Sequence, residues 1–164
     1  MDVLAAHDIR RLVDVRALPR SRWVPHFNRE RMTAPLNEAG VEYRWMPELG
    51  GKRGKQREHS PNVAIRDETL RNYADYMLTP QFQQAAQNLV ELASTGKTAI
   101  MCAEKNVSNC HRSLISDYLT LHGHEVLHIE DQNPFQLHQP SPDASLVRGQ
   151  VIYSPEDLFR DKSA

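Results

Sequence analysis

The sequence predicts one α/β domain spanning residues 1–164, with a mostly parallel central sheet flanked by helices on both faces in a three-layer, Rossmann-like arrangement. Three observations predict it. Short aliphatic runs alternate along the chain with stretches of helical spacing, the order that builds parallel strands joined by helices. The 164 residues with 40% hydrophobic content can form a core without disulfide or metal staples. No internal repeat is evident.

Met1 to His7 reads as the end of a helix, and Ile9 to Val15 as a buried strand ending near Arg16. Asn28 is a plausible N-cap for a helix reaching Ala39 and stopped by Gly40. Pro35 would kink its interior, so two short helical pieces fit equally well. Val41, Tyr43 and Trp45 alternate with polar neighbours as a strand, which Gly50-Gly51 ends. Lys52 to Asn62 is a charged loop. Helical spacing returns at Leu70, Tyr73, Tyr76 and Met77, then after Pro80 at Phe82, Ala86, Leu89, Val90 and Ala93, with Gly96 as terminator. Thr98 to Ala103 is the next central strand, followed by the polar loop Glu104 to Asn109. The helix beyond it has Leu114, Ile115, Tyr118 and Leu119 on its apolar face and stops at Gly123. Glu125 to Ile129 reads as a further strand of the sheet. Asp131 to Pro142 crosses the surface, Gln150 to Tyr153 returns as a short strand, and residues 155–164 are expected to fray.

Charge and cysteine usage narrow the functional classes. The formal net charge of -1 gives no overall polybasic character, yet residues 10 to 57 carry twelve Lys/Arg against five acids. A positive N-terminal third therefore faces a negative remainder, and an anion would favour the former. The two cysteines, Cys102 and Cys110, form no secreted-type framework, so a reducing, cytoplasmic setting is expected. Apolar runs are too short for a membrane span, and no signal segment follows Met1.

The chemistry concentrates in Cys102-Ala103-Glu104-Lys105-Asn106-Val107-Ser108-Asn109-Cys110-His111-Arg112-Ser113, a strand end, a polar loop and a helix start. Ligands of open parallel sheets bind at such strand ends, and helix N-termini favour anions. Arg112 in the first helical turn is electrostatically unfavourable unless something anionic lies nearby or it pairs with Glu104 or Asp117. Cys102 reads either as a low-pKa thiolate nucleophile or as an inert buried thiol. Glu104 or His111 is the candidate general acid/base. Asp14, Arg16 and Arg20 follow the neighbouring strand and either recognise a ligand, together with Cys110, Arg112 and Ser113, or, for Asp14 and Arg16, brace the backbone. Cys-x7-Cys lacks the close ligand pairing of common zinc motifs, so no metal is expected, even counting His111 and His128. No cofactor and no oligomeric state can be read.

Leu12-Val13-Asp14-Val15-Arg16 with Pro19 and Ser21, Leu49-Gly50-Gly51, Asn72 to Met77, Cys102-Ala103-Glu104 with Cys110-His111-Arg112, and His128-Ile129 together resemble the domain-of-unknown-function 488 family. The resemblance runs from Met1 to Leu158-Phe159 and implies an α/β fold with a shared site. That family opens with a further strand and a Gly-His-Ser segment, which this sequence lacks. A more distant similarity, at fold level, is to rhodanese-like sulfurtransferases, although nine residues separate Cys102 from Arg112 and the loop between them contains no glycine.

Three functions follow as expectations. The first is binding of a phosphate-bearing or other anionic ligand, a nucleotide or nucleic acid, between Arg16, Arg20 and the Glu104 to Arg112 loop. The second is thiol chemistry at Cys102, as sulfur transfer or redox exchange with Cys110. The third is a non-catalytic nucleic-acid module using the basic segment, with Trp23, Phe27 and Trp45 for stacking. Whether the protein is an enzyme stays open at this level.

Overall fold

Strand β1 (Arg11–Asp14) organises the fold because its side chains must be buried on both sides. In the computed structural model, which describes residues 1–130 and 134–155, β1 lies between β2 (Glu42–Trp45) and β3 (Thr98–Met101). All three run parallel, with Asp14 opposite Trp45 on one side and Met101 on the other. Alternation along the strand splits its apolar residues between two clusters. Leu12 joins Met32, Leu36 and Val41, whereas Val13 and Val15 join Tyr73, Phe82, Leu89, Leu114 and Ile115.

The helices are α1 (Asp2–Ala6), α2 (Arg29–Glu38), α3 (Glu68–Met77), α4 (Pro80–Ser94) and α5 (His111–Leu121). Asp67 caps α3 by accepting from the Leu70 N–H, and Thr79 caps α4 by accepting from the Phe82 N–H, with Pro80 at the first position, where a missing donor costs nothing. Helix α2 runs unbroken through Pro35, because Met32 and Leu36 anchor its inner face. Asn28 stands at its N-cap, but its side chain accepts the Ser21 N–H at 2.6 Å instead of capping the helix.

The parallel sheet is narrower than expected. Of Glu125 to Ile129, only Leu127–His128 (β4) is extended, and it pairs antiparallel with β5 (Gln136–Leu137). Leu127 is exposed, so this segment lacks the apolar residues on both faces that a place beside β3 would demand. The predicted Gln150–Tyr153 strand forms as β7, paired with β6 (Ala144–Val147) through a turn at Arg148-Gly149, both at positive φ, as a tight hairpin turn requires. Val151 and Tyr153 complete the larger cluster. The tail expected to fray lies, from residue 156 onward, outside the described residues. Among the described residues, no helix is long and apolar enough to cross a membrane.

Candidate functional site

Parallel pairing of β1 with β3 delivers Val15-Arg16 and Cys102 side by side at the C-terminal ends of the strands, where the Val15 N–H donates to the Met101 carbonyl at 2.9 Å. The chain then turns through a 3-10 segment, Val107–Asn109, whose entry is fixed by the Asn106 side chain accepting from the Ser108 N–H and hydroxyl at 2.9 and 2.7 Å. It enters α5 with Cys110 at the N-cap. A β-strand end and a helix start thus converge on two free cysteines, Cys110 buried and Cys102 half-buried.

His111 lies between them. Its Nε2 is 2.9 Å from the Val15 carbonyl, and because a carbonyl only accepts, Nε2 carries the hydrogen. Nδ1 faces Cys102 Sγ at 3.9 Å and Cys110 Sγ at 3.6 Å, where it accepts from a thiol when bare and supports a thiolate only when it too carries a hydrogen. The ring is held on its other sides by Tyr73, whose centroid is 5.0 Å away, and by Gly51. A Cβ at Gly51 would stand 2.3 Å from His111 Nδ1, so only glycine lets the imidazole occupy this place. Gly50 is equally constrained, with Ala17 Cα 2.7 Å from a Cβ there. Helix α3 fixes this wall: the Tyr73 hydroxyl donates to the Leu49 carbonyl at 2.8 Å and that of Tyr76 to the Glu48 carbonyl at 2.7 Å.

The negative charge of the sulfur pair belongs on Cys110. The Cys102 thiol beside it, with further help from His111 and the Arg112 backbone N–H and guanidinium, lowers Cys110 to about 3 despite its burial. Cys102 moves the other way, pushed up by the neighbouring Cys110 and by burial. The depressed thiol is therefore the one at the helix N-terminus, a position that by itself favours a thiolate, while Cys102 takes the inert side of the two readings its sequence allowed. Arg112 Nε donates to Cys110 Sγ at 3.5 Å, and its Nη2 reaches the backbone carbonyls of Glu104 and, at 3.4 Å, Lys105. The Glu104 side chain is exposed, and it is the backbone of Glu104, not its carboxylate, that holds Arg112. Ser113 Oγ donates to the Cys110 carbonyl at 2.9 Å.

Asp14 and Arg16 form a buried brace. Asp14 is 0% and Arg16 8% exposed. Arg16 Nε donates to both carboxylate oxygens at 2.8 and 3.0 Å, and Nη2 donates to Asp14 Oδ2 at 2.5 Å and to the Phe27 carbonyl at 2.8 Å. The Tyr43 hydroxyl adds a bond to Asp14 at 2.6 Å, and burial followed by this contact pushes its pKa up. Asp14 has spent its acceptors inside the protein, and Arg16 is turned to its own strand and the Phe27 loop. Arg20 is exposed, and no described side-chain bond ties it to the cysteines.

A pocket of about 590 Å³ opens between β3, α4, α5 and the 124–130 segment, within the size range of small-molecule sites. Cys102, Lys105, Arg112 and His128 line it, with Glu125 and Glu130 at the same wall. His128 leads to a chain of hydrogen bonds that sequence reasoning missed, and it is this chain, not Arg112, that engages Asp117. His128 Nε2 is 2.8 Å from His138 Nδ1, His138 Nε2 is 2.7 Å from Asp117 Oδ1, and the Tyr153 hydroxyl donates to Asp117 Oδ2 at 2.9 Å. The only signal was the recurrence of histidine after Gly123, since no local spacing relates Asp117 to His138.

The remaining expectations concern stacking and metal. Trp23 is 94% exposed and Phe27 half so, but the Trp45 indole N–H donates to the Arg16 carbonyl at 2.9 Å, and the Arg29 guanidinium covers its ring at 5.0 Å. Cys102, Cys110 and His111 bring three donor atoms within 4.8 Å of one another, compact enough to hold a soft cation; His128 stands outside that group.

A family model described as Domain of unknown function DUF488 matches residues 1–119, a segment that holds the cysteine–histidine cluster and ends before His128. No curated protein and no solved structure matches the chain.

Proposed function

The chain belongs to the DUF488 family, and from the geometry we propose that it carries out thiol–disulfide exchange through Cys102 and Cys110 on a small anionic thiol held in the adjoining pocket. One observation carries this reading: two free sulfurs share the Nδ1 of a single oriented imidazole, at 3.9 and 3.6 Å, at a helix N-terminus. Cys102 is the sulfur that lines the pocket, and Cys110 is the buried one that holds charge. A pair whose reduced form is stabilised in this way makes a disulfide that readily accepts electrons.

In the exchange, a substrate thiolate bonds to Cys102 Sγ as the Cys102–Cys110 bond breaks and Cys110 leaves as thiolate. A second substrate thiolate then bonds to the first substrate's sulfur, and Cys102 leaves and takes a proton. Two thiols become one disulfide, two electrons pass to the cysteine pair, and of the two thiol protons one ends on Cys102 and one in solvent. A low-molecular-weight disulfide recharges the pair by the reverse sequence. Lys105 and Arg112 at the pocket wall favour a carboxylate or phosphate on the substrate, so anion binding becomes part of the exchange.

Glutathione disulfide treatment in the presence of a chelator tests this. The expected product is an intramolecular disulfide: a mass lower by two hydrogens, no free thiol, and a retained far-ultraviolet spectrum. Cys102→Ser and Cys110→Ser should each give only a mixed disulfide or none. A wild-type chain that never closes the bridge refutes the reading.

The nucleic-acid reading keeps one supporting observation, the exposed Trp23 directly after Arg22 and three residues after Arg20. Single-stranded oligonucleotide binding that falls steeply with salt and is weakened by Trp23→Ala would support it, and no binding at low salt removes it.

A further inference from the structure

The pocket is lined by a histidine that lies outside the cysteine cluster. His128 lines the pocket together with Cys102 and Arg112, and it is hydrogen-bonded, through His138, to the buried Asp117. The Asp117 carboxylate accepts from three donors: His138 Nε2–H at 2.7 Å, the Ser141 N–H at 3.1 Å and the Tyr153 hydroxyl at 2.9 Å. Burial pushes Tyr153 up, so it remains a hydroxyl and a donor. With its Nε2–H committed to Asp117, a neutral His138 offers the Nδ1 lone pair, which accepts from His128 Nε2–H. The order of partners therefore fixes the tautomer of His128 and leaves Nδ1 as its one basic atom.

We propose that His128 is the general base of this pocket, taking the proton from a substrate thiol as that sulfur attacks the Cys102–Cys110 disulfide. The role rests on the exchange reaction proposed above and adds to it the step that generates the thiolate. The proton moves from the thiol to His128 Nδ1 and is lost to solvent, or it is returned to Cys102 when that sulfur leaves. The imidazolium so formed is stabilised along the chain of hydrogen bonds ending on Asp117, as a carboxylate-oriented imidazole is in other proton-transfer sites. A base must be neutral before it acts. Burial, then His138, then Arg112 lower the pKa of His128, against smaller opposing effects of Glu130 and Asp117. From the other elements around the pocket, Lys105, His124, Glu125 and the Cys102 thiol also face this space.

The test follows the reduction of the oxidised full-length chain by β-mercaptoethanol in stopped flow, as a function of pH. Intramolecular disulfide formation is established first by mass; if none forms, the exchange reading fails and His128 has no reaction to serve. With the disulfide in place, His128→Gln should slow reduction about 100-fold at neutral pH. Its rate should rise in strict proportion to the thiolate fraction of the reagent, and it should converge with wild type at alkaline pH, where the reagent needs no base. His138→Gln, which leaves His128 in the pocket but breaks its link to Asp117, should give a smaller defect of the same pH dependence. A purely structural role would instead lower both limbs of the profile equally. Parallel profiles for wild type and both folded variants overturn the proposal while leaving the exchange reading intact. Should His128→Gln not fold, parallel profiles for His138→Gln and wild type have the same force.

Discussion

Replacing Gly51 by alanine tests the packing that sets the cysteine–histidine cluster in place. The new Cβ would stand 2.3 Å from His111 Nδ1, 2.6 Å from Cγ and 2.8 Å from Cε1. Since ordinary contact begins near 3.4 Å, the ring or the Gly51 backbone must give by about 1 Å. The ring has nowhere to retreat without losing its 2.9 Å bond to the Val15 carbonyl or pressing on Tyr73. Overpacking costs about 1–3 kcal/mol, and a buried carbonyl left unpaired costs about 1–3 kcal/mol more. The expected loss of about 2–6 kcal/mol corresponds to a fall in Tm of roughly 5–20 °C for a chain of this length. Urea denaturation and a thermal scan measure it, and alkylation against pH reads the thiols in the same sample: moving His111 should raise the pH at which Cys110 becomes reactive. Gly54→Ala is the control, because nothing lies within 4 Å of a Cβ there, and it should change stability by less than about 0.5 kcal/mol. If Gly51→Ala matched that control in stability and left the alkylation profile unchanged, His111 would not be seated against Gly51 and the cluster geometry would be wrong.

Asp14→Asn or Arg16→Ala, each stranding one partner of the buried pair, should cost about 3–5 kcal/mol in urea denaturation; a loss below about 1 kcal/mol would return Arg16 to the candidate ligand clamps. Because Cys110 is lowered to about 3 in the folded chain while an unfolded thiol titrates near about 8.5, the unfolded state alone holds that proton over the interval. Stability from Cys110 is then complete above the unfolded value and is lost as pH falls toward the folded one. Urea midpoints at about pH 8 and about pH 5 should therefore show a wild-type advantage over Cys110→Ser that shrinks on acidification, and a constant advantage would contradict the charge on Cys110. Arg112→Lys removes the fork that joins Cys110 Sγ to the Glu104 carbonyl. It should leave the fold standing and shift the alkylation profile of Cys110 to higher pH, whereas an unchanged profile would show that the guanidinium does not stabilise the sulfur.

Local patterns revealed most of the secondary structure and the juxtaposition of Cys102, Cys110, His111 and Arg112 at the candidate site. The strand Ile9 to Val15 and the helix after Cys110 carry their own signals, aliphatic runs and helical spacing bounded by glycine, so their placement put Cys102 and Cys110 together before any contact was known. What local patterns left open was the use of Arg16. A strand-end arginine two residues from an aspartate reads equally as clamp or brace, and only the Phe27 carbonyl and Tyr43 hydroxyl, from distant segments, decide for the brace. The strand expected within Glu125 to Ile129 does form, at Leu127–His128, but its expected place in the parallel sheet failed for a related reason. Its alternation is right for an extended chain, but its partner is set by residues about ten positions later, through His138 and Gln136. Gly50-Gly51 was legible as a strand terminator, while its closer requirement, room for an imidazole sixty residues away, is invisible without the fold.

Arg112 shows how the electrostatics of the site close on themselves. A cation in the first turn of a helix opposes the partial positive charge of the free N–H groups there, so it demands an anion close by. A bound phosphate would satisfy it, and so would a glutamate, but the structure supplies a third candidate from the helix itself. Cys110 at the N-cap presents its sulfur to Arg112 Nε at 3.5 Å, with Cys102 and His111 on the sulfur's other sides. Thiolate, helix terminus and guanidinium then offset one another, and the cation stops being anomalous. The arrangement also has a chemical consequence. When Cys110 enters a disulfide its charge disappears, and Arg112, already at the pocket wall beside Lys105, is left with its positive charge unbalanced. Under the proposed exchange, the oxidised site would attract an anionic thiol more strongly than the reduced one, favouring entry of the substrate that reduces it and its release once Cys110 regains its charge.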